Sequence, residues 1–190
     1  METIEISGVI GMISAVLLTA NICMGILMST AYRKLTIWKQ IPEKYKFFKM
    51  VDLHNYTSYG VLLLVLVHVL ILPLDPLSGF SFSSIVWPVI NKHQPIFVWL
   101  GFISLIALFL VVISSQKPIK KVLGFKLWKN IHVISYLTSV LFIAHAIVMD
   151  PLLKDRTVDF FDAEKVFMEL CGLVLLIAFY WRYRFKRSVD

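Results

Sequence analysis

Charge is scarce in this sequence. Of its 190 residues only 16% are Asp, Glu, Lys or Arg, while 58% are hydrophobic; an ordinary soluble domain has about 25% charged residues. That balance excludes a soluble globular fold and equally excludes a disordered chain. Cysteine is scarcer still. Cys23 and Cys171 both sit in apolar runs, with no CxxC or metal-type spacing, so a disulfide scaffold is excluded and the redox compartment is left open. There is no internal repeat, no low-complexity segment and no GxGxxG nucleotide fingerprint. The N-terminus lacks the basic n-region of a cleaved signal peptide. Its first apolar run is too long for an h-region and is expected to persist as a helix.

What the sequence has is uncharged length. Runs without Asp, Glu, Lys or Arg cover 6–32, 53–74, 93–116 and 130–149, that is 27, 22, 24 and 20 residues. A bilayer core of ~30 Å takes about 20 apolar residues in a helix, so four spans are expected outright. A fifth run, 166–181, has 16 residues and includes Glu169. The expected fold is an all-α membrane protein, a single domain over 1–190. Its bundle is expected to have about five transmembrane helices, near 7–30, 51–73, 95–115, 128–149 and 164–182.

The cations give the bundle a direction. Six of the nineteen Lys and Arg residues fall between Arg33 and Lys49, five between Lys117 and Lys129, and four between Arg182 and Arg187. The segments that alternate with these carry only Lys92, Lys154, Arg156 and Lys165. Such alternation is the signature of the positive-inside rule. It accounts for the net charge of +7 without nucleic acid, which is not expected as a partner. The basic segments 31–50 and 117–129 and the tail are expected in the cytoplasm, the stretch 116–129 being read as a loop, and the N-terminus outside. The fifth run is expected to cross, because otherwise the basic tail would lie on the wrong side. The stretch 76–91, with Gly79 and Pro88, is too short and broken to cross and is expected to lie on the membrane.

Four of the five histidines fall inside spans: His54 and His68 on the second, His132 and His145 on the fourth. An ionisable ring in hydrocarbon is costly, so it is read first as functional and second as an interhelical hydrogen bond. The separations, 14 and 13 positions, correspond to ~21 Å and ~20 Å of helix. Both helices run in the same direction, so the histidines fall at two matched depths. Imidazoles facing each other across a bundle make a bis-axial haem iron site; two such sites, stacked, make a path for electrons. At ~100° per residue, 14 positions return to nearly one face, whereas 13 fall ~140° short of four turns. The fourth helix is therefore expected to twist, or the two haems to be offset laterally.

These residues carry a resemblance. The spacings His54-x13-His68 and His132-x12-His145, with the segment Leu123-Gly124-Phe125-Lys126-Leu127-Trp128-Lys129-Asn130-Ile131-His132-Val133-Ile134-Ser135-Tyr136-Leu137, resemble the ferric-reductase-like transmembrane family. That family includes ferric reductases, NADPH oxidases and the haem-binding membrane subunit of the bacterial methionine sulfoxide reductase system. Its pattern there is LG-x-x-W-K-x-L-H-x-x-x-Y-L. Pro95, Gly101 and Ser114-Ser115 are similar to the third helix of the methionine sulfoxide reductase subunit. The similarity covers about residues 50–150. It implies two b-type haems, one on His54 and His132 toward the cytoplasm and one on His68 and His145 toward the outer face. It further implies an oxidoreductase component in a prokaryotic cytoplasmic membrane. Without a nucleotide fingerprint, the reductant is expected from a separate flavoprotein, a quinol or another subunit, with flavin present only through such a partner. Electrons would leave to an outer-face acceptor, protein or small molecule.

Other polar residues have competing readings. His93 is a surface residue or a contact for the acceptor. Glu169 is a snorkelling side chain or a proton relay. Arg33, Lys49, Trp128 and Lys129 orient the chain or pair with haem propionates. Tyr56, Tyr59 and Tyr136 are belt residues or propionate donors. A non-redox reading also stands: a small transporter or assembly anchor whose histidines bind metal or hold helices together. A transporter predicts broken helices with paired half-site motifs, and the sequence displays neither.

Overall fold

The computed structural model describes residues 2–30, 39–40, 42, 49–90, 94–149 and 159–187. Helix makes up 89% of these residues and none is in a strand, as the long apolar runs require. Six α-helices follow in order: α1 (Thr3–Ser29), α2 (Met50–Ile71), α3 (Phe82–Val86), α4 (Pro95–Ser114), α5 (Lys117–Val148) and α6 (Ala163–Arg187). α1, α2 with its following turn to Leu74, α4 and α5 are long and apolar enough to cross a membrane. α6 is longer than the expected fifth span, at 25 residues, and is not among those four helices. Arg33 and His93 lie outside the described residues.

Termini follow local chemistry. Pro73 stands inside the 3-10 turn Leu72–Leu74 that closes α2, since it cannot continue the helical ladder. Beyond it, Ser81 and Ser84 form a capping box that starts the five-residue α3. Leu77, Phe82 and Trp87 there are exposed, as expected of a connection lying along a bilayer. Asp75 accepts from the Leu77 N–H at 2.9 Å. The hydroxyl of Thr3, and then that N–H, hold its carboxyl below the usual carboxylate range, which ties the start of α1 to the end of α2.

One expectation is corrected. The basic segment before the fourth span is not a loop. The chain turns at Ser115 and Gln116 and is helical from Lys117 onward. Lysine and leucine are good helix formers, so charge alone was a poor sign of loop. The break lies within α5, at Gly124, whose φ of 71° and ψ of 164° are non-helical. Glycine meets that geometry without a Cβ penalty.

α1 is the central helix. It packs against α2, α5 and α6, while α4 lies along α5. Within the most apolar window 39% of its residues are buried, against 11% for the α2 span. Ala15, Leu18, Ile22 and Ile26 of α1 meet Val61 and Val65 of α2, Phe142 of α5 and Met168 of α6 in the core. Its buried face also carries Ser7, Ser14, Thr19 and Asn21, small or polar side chains of the kind that let membrane helices approach and bond. Ser14 and Thr19 donate back to carbonyls four residues earlier. At one end Lys165 of α6 donates to the Met149 carbonyl at the end of α5. At the other, Arg182 of α6 donates to Ser29 of α1.

Candidate functional site

α2 and α5 bring the four histidines together in two pairs. The rings of His54 and His132 lie 6.1 Å apart, centre to centre, at 70°. His68 and His145 line one cavity between α1, α2, α4 and α5. Pairing therefore follows matched depth, as expected from the parallel run of the two helices.

Each imidazole is held by its Nδ1. His54 Nδ1–H donates to the Asn21 carbonyl at 3.1 Å, and His68 Nδ1–H to the Ser7 carbonyl at 2.7 Å. His145 Nδ1–H donates to the Phe97 carbonyl, also at 2.7 Å. A carbonyl can only accept, so in these three rings the proton sits on Nδ1 and Nε2 carries the lone pair. His132 differs, with the Ser115 hydroxyl as its partner at 3.3 Å. That hydroxyl donates to the Val111 carbonyl at 2.8 Å and accepts from the Trp128 indole N–H at 3.3 Å. With its proton directed to Val111, Ser115 is free to accept from His132 Nδ1–H as well. A metal-ligating histidine has this arrangement, its second nitrogen donating to a carbonyl or similar acceptor.

The acceptors were missed by sequence reasoning, which gave α1 no part in the site. A signal was present. Ser7 and Asn21 are 14 positions apart, the same as His54 and His68. On antiparallel helices that match brings each histidine opposite one α1 residue. Ser7 Oγ reinforces its seat by donating to the His68 carbonyl at 2.8 Å. Asn21 Nδ2 donates to the His54 carbonyl and to Thr57 Oγ, both at 2.7 Å. Among the described residues α5 has no non-helical backbone between His132 and His145, its break lying at Gly124. The two rings reach α4 at opposite ends, His145 at Phe97 and His132 at Ser115.

The remaining candidates separate. Trp128 stacks on His132 at 5.1 Å and 27°, with the Lys120 ammonium 3.5 Å above its ring. Lys129 lies 5.8 Å over Phe125. Tyr136 packs on Phe179 beneath Arg182, and Tyr59 donates to Gln116. Tyr56 and Lys49 are exposed, and Glu169 is half-buried. None of these side chains other than Trp128 touches a histidine ring in a described contact.

Two imidazoles per level do not complete a bare-ion site. Among the described residues no group of three or more His, Cys, Asp or Glu converges, whereas structural zinc takes four ligands. Haem iron needs only the two axial ligands, and the residues present fit it. Two metal–nitrogen bonds of about 2 Å and about 1 Å from each nitrogen to its ring centre amount to roughly 6 Å, matching His54 and His132. At the other level His68 and His145 face one cavity. Gly8, Gly11, Gly101 and apolar side chains such as Val65, Leu105 and Phe142 line it, as suits a flat apolar macrocycle, and Glu164 and Lys165 of α6 line it too.

No curated protein and no solved structure matches the chain. The profile of the ferric reductase-like transmembrane component matches residues 10–143. Domains of this kind generally bind haem. With that match over most of its length, its apolar helices and its paired histidines, the chain belongs to the ferric reductase-like transmembrane component family and is a membrane redox component.

Proposed function

We propose that the chain is a transmembrane b-type cytochrome, the membrane subunit of a reductase system. In this reading His54 and His132 hold an inner haem and His68 and His145 an outer one. Bound iron would supply one-electron chemistry, cycling between ferric and ferrous states. The chain's own work is to fix the ligands, keep water from the apolar levels and define an entry and an exit. Entry is at the basic face, from a flavoprotein, a quinol or another subunit. Exit is toward an outer acceptor. The observation that carries the reading is a shared seat: each ring is held through Nδ1, three of them on backbone carbonyls, which leaves Nε2 for the ligand role. Interhelical glue alone would not require the same nitrogen in every ring.

The test is haem per polypeptide by pyridine haemochrome, with electron paramagnetic resonance of the oxidised protein. Two six-coordinate, low-spin haems are expected. A ratio near one would leave a single ligating pair, and zero would end the redox reading in favour of a transporter or anchor.

Orientation is part of the proposal. In a prokaryotic cytoplasmic membrane the N-terminus is outside, and α6 crosses so that 182–190 is cytoplasmic. Single-cysteine labelling from outside should reach positions 81 and 157 and miss 44 and 188. Label at both 157 and 188 would show that α6 does not cross.

A further inference from the structure

Three of the four histidine seats share a spacing. The carbonyl that accepts from His68 belongs to Ser7, and Gly11 follows four positions later. For His54 the residues are Asn21 and Gly25, and for His145 they are Phe97 and Gly101. In a helix the N–H four positions on already bonds that carbonyl. The side chain of the same residue leans back over the preceding turn and covers the carbonyl's second lone pair. Glycine leaves it uncovered.

The distances give this a magnitude. A Cβ on Gly101 would lie 2.8 Å from His145 Cε1 and 3.1 Å from its Nδ1. On Gly11 it would lie 3.1 Å from His68 Cε1 and Nδ1, and on Gly25 3.3 Å from His54 Cε1. Gly60, also in a span, would meet nothing within 4 Å. The fourth seat needs no such opening. Its acceptor is the hydroxyl of Ser115, at the C-cap of α4, and Ile119 stands four positions on.

We infer that Gly11, Gly25 and Gly101 are positioning residues of the redox site, each opening a helix carbonyl so that it accepts a second hydrogen bond, from a ligand imidazole. The inference rests on reading the histidines as haem ligands. Through these openings α1 sets the plane and tautomer of one ligand at each level without supplying a ligand itself. A carbonyl on Nδ1–H raises ligand basicity, which favours ferric iron, so losing that bond raises the midpoint potential of the affected haem alone.

The test uses the holoprotein with Gly11→Ala, Gly25→Ala and Gly101→Ala, and Gly60→Ala as control. Redox titration and the low-field resonance of each oxidised haem are measured. Gly101→Ala and Gly11→Ala should alter only the outer haem, Gly25→Ala only the inner, and Gly60→Ala neither. The size should follow the crowding, Gly101 first and Gly25 last. Loss of the outer haem alone from folded Gly101→Ala protein would support the inference equally. Gly25→Ala, the mildest clash, keeps the test open should the others fail to fold. Gly11 and Gly25 variants matching the control, or displacing both haems alike, would overturn it. Wild-type protein without haem would instead overturn the reading of the histidines.

Discussion

The two histidine levels are built differently. At the His68–His145 level both rings donate to backbone carbonyls at 2.7 Å, inside a cavity lined mostly by apolar side chains and glycine, with Glu164 and Lys165 of α6 also in its wall. At the His54–His132 level the two bonds are longer, 3.1 and 3.3 Å. One of the acceptors there is a side-chain hydroxyl, and an aromatic ring with a lysine above it lies against His132. Helix carbonyls cannot rotate; a serine hydroxyl can. The His68–His145 level is thus fixed by backbone, while the His54–His132 level is joined through Ser115 and Trp128 to the basic face where electrons are proposed to enter.

The largest test of this contrast removes ligands. His68→Ala or His145→Ala should lose the outer haem and abolish outward transfer, with the inner haem still reduced by the physiological donor. His54→Ala or His132→Ala should block entry, so that any outer haem stays oxidised in the presence of that donor yet is reducible by dithionite. Donor-driven reduction is followed spectroscopically, with membrane abundance as the control for misfolding, since each change leaves an unpaired ring in apolar surroundings. Identical behaviour of folded His54 and His68 variants, each retaining the other haem, would break the serial scheme.

A smaller effect is expected from Asn21→Leu. It removes two hydrogen bonds that join α1 to α2 beside His54, at about 1 kcal/mol each. Thermal bleaching should release the inner haem at a lower temperature while the outer is unchanged. Equal loss of both would mean that the levels are not independent. Ser115→Ala should do less. The bond it removes is long, so the inner midpoint should rise slightly and the outer not at all; a fall would contradict the assigned direction of the hydrogen bond.

The smallest effect concerns Asp75. Its depressed carboxyl pKa means that the contact with Thr3 contributes stability above the unfolded value of about 3.9 and loses it as pH falls through the folded value. Asp75→Asn should imitate that loss at neutral pH, seen as faster hydrogen exchange at the start of α1. No change in either haem is expected between pH 5 and 8.

The spans and the four histidines were legible because both are properties of sequence intervals: uncharged length and a repeated separation. Their partners were not. Ser7 and Asn21 look like ordinary small polar residues until α1 lies antiparallel to α2, and Gly11 and Gly25 matter only through rings 57 and 29 positions away. Helix in 117–123 escaped because clustered lysine was read as loop when only Gly124 breaks the helix. The unequal spacing on α5 suggested a twist, and nothing in it revealed that the two rings would reach opposite ends of α4.

The matched interval on α1 and α2 is a length constraint shared by two separate stretches of chain. Ser7 to Asn21 and His54 to His68 each measure 14 positions. One residue deleted between Ser7 and Asn21 would shift one seat against the other by ~1.5 Å and ~100°. Whichever end kept its register, the other histidine would lose both its carbonyl and its glycine. A deletion between His54 and His68 would do the same. Sliding the helices cannot repair either change; only paired deletions that restore equal intervals could, and even they would have to be matched again on α5. Point substitution can therefore tune each level separately, but insertion and deletion are barred from both stretches at once.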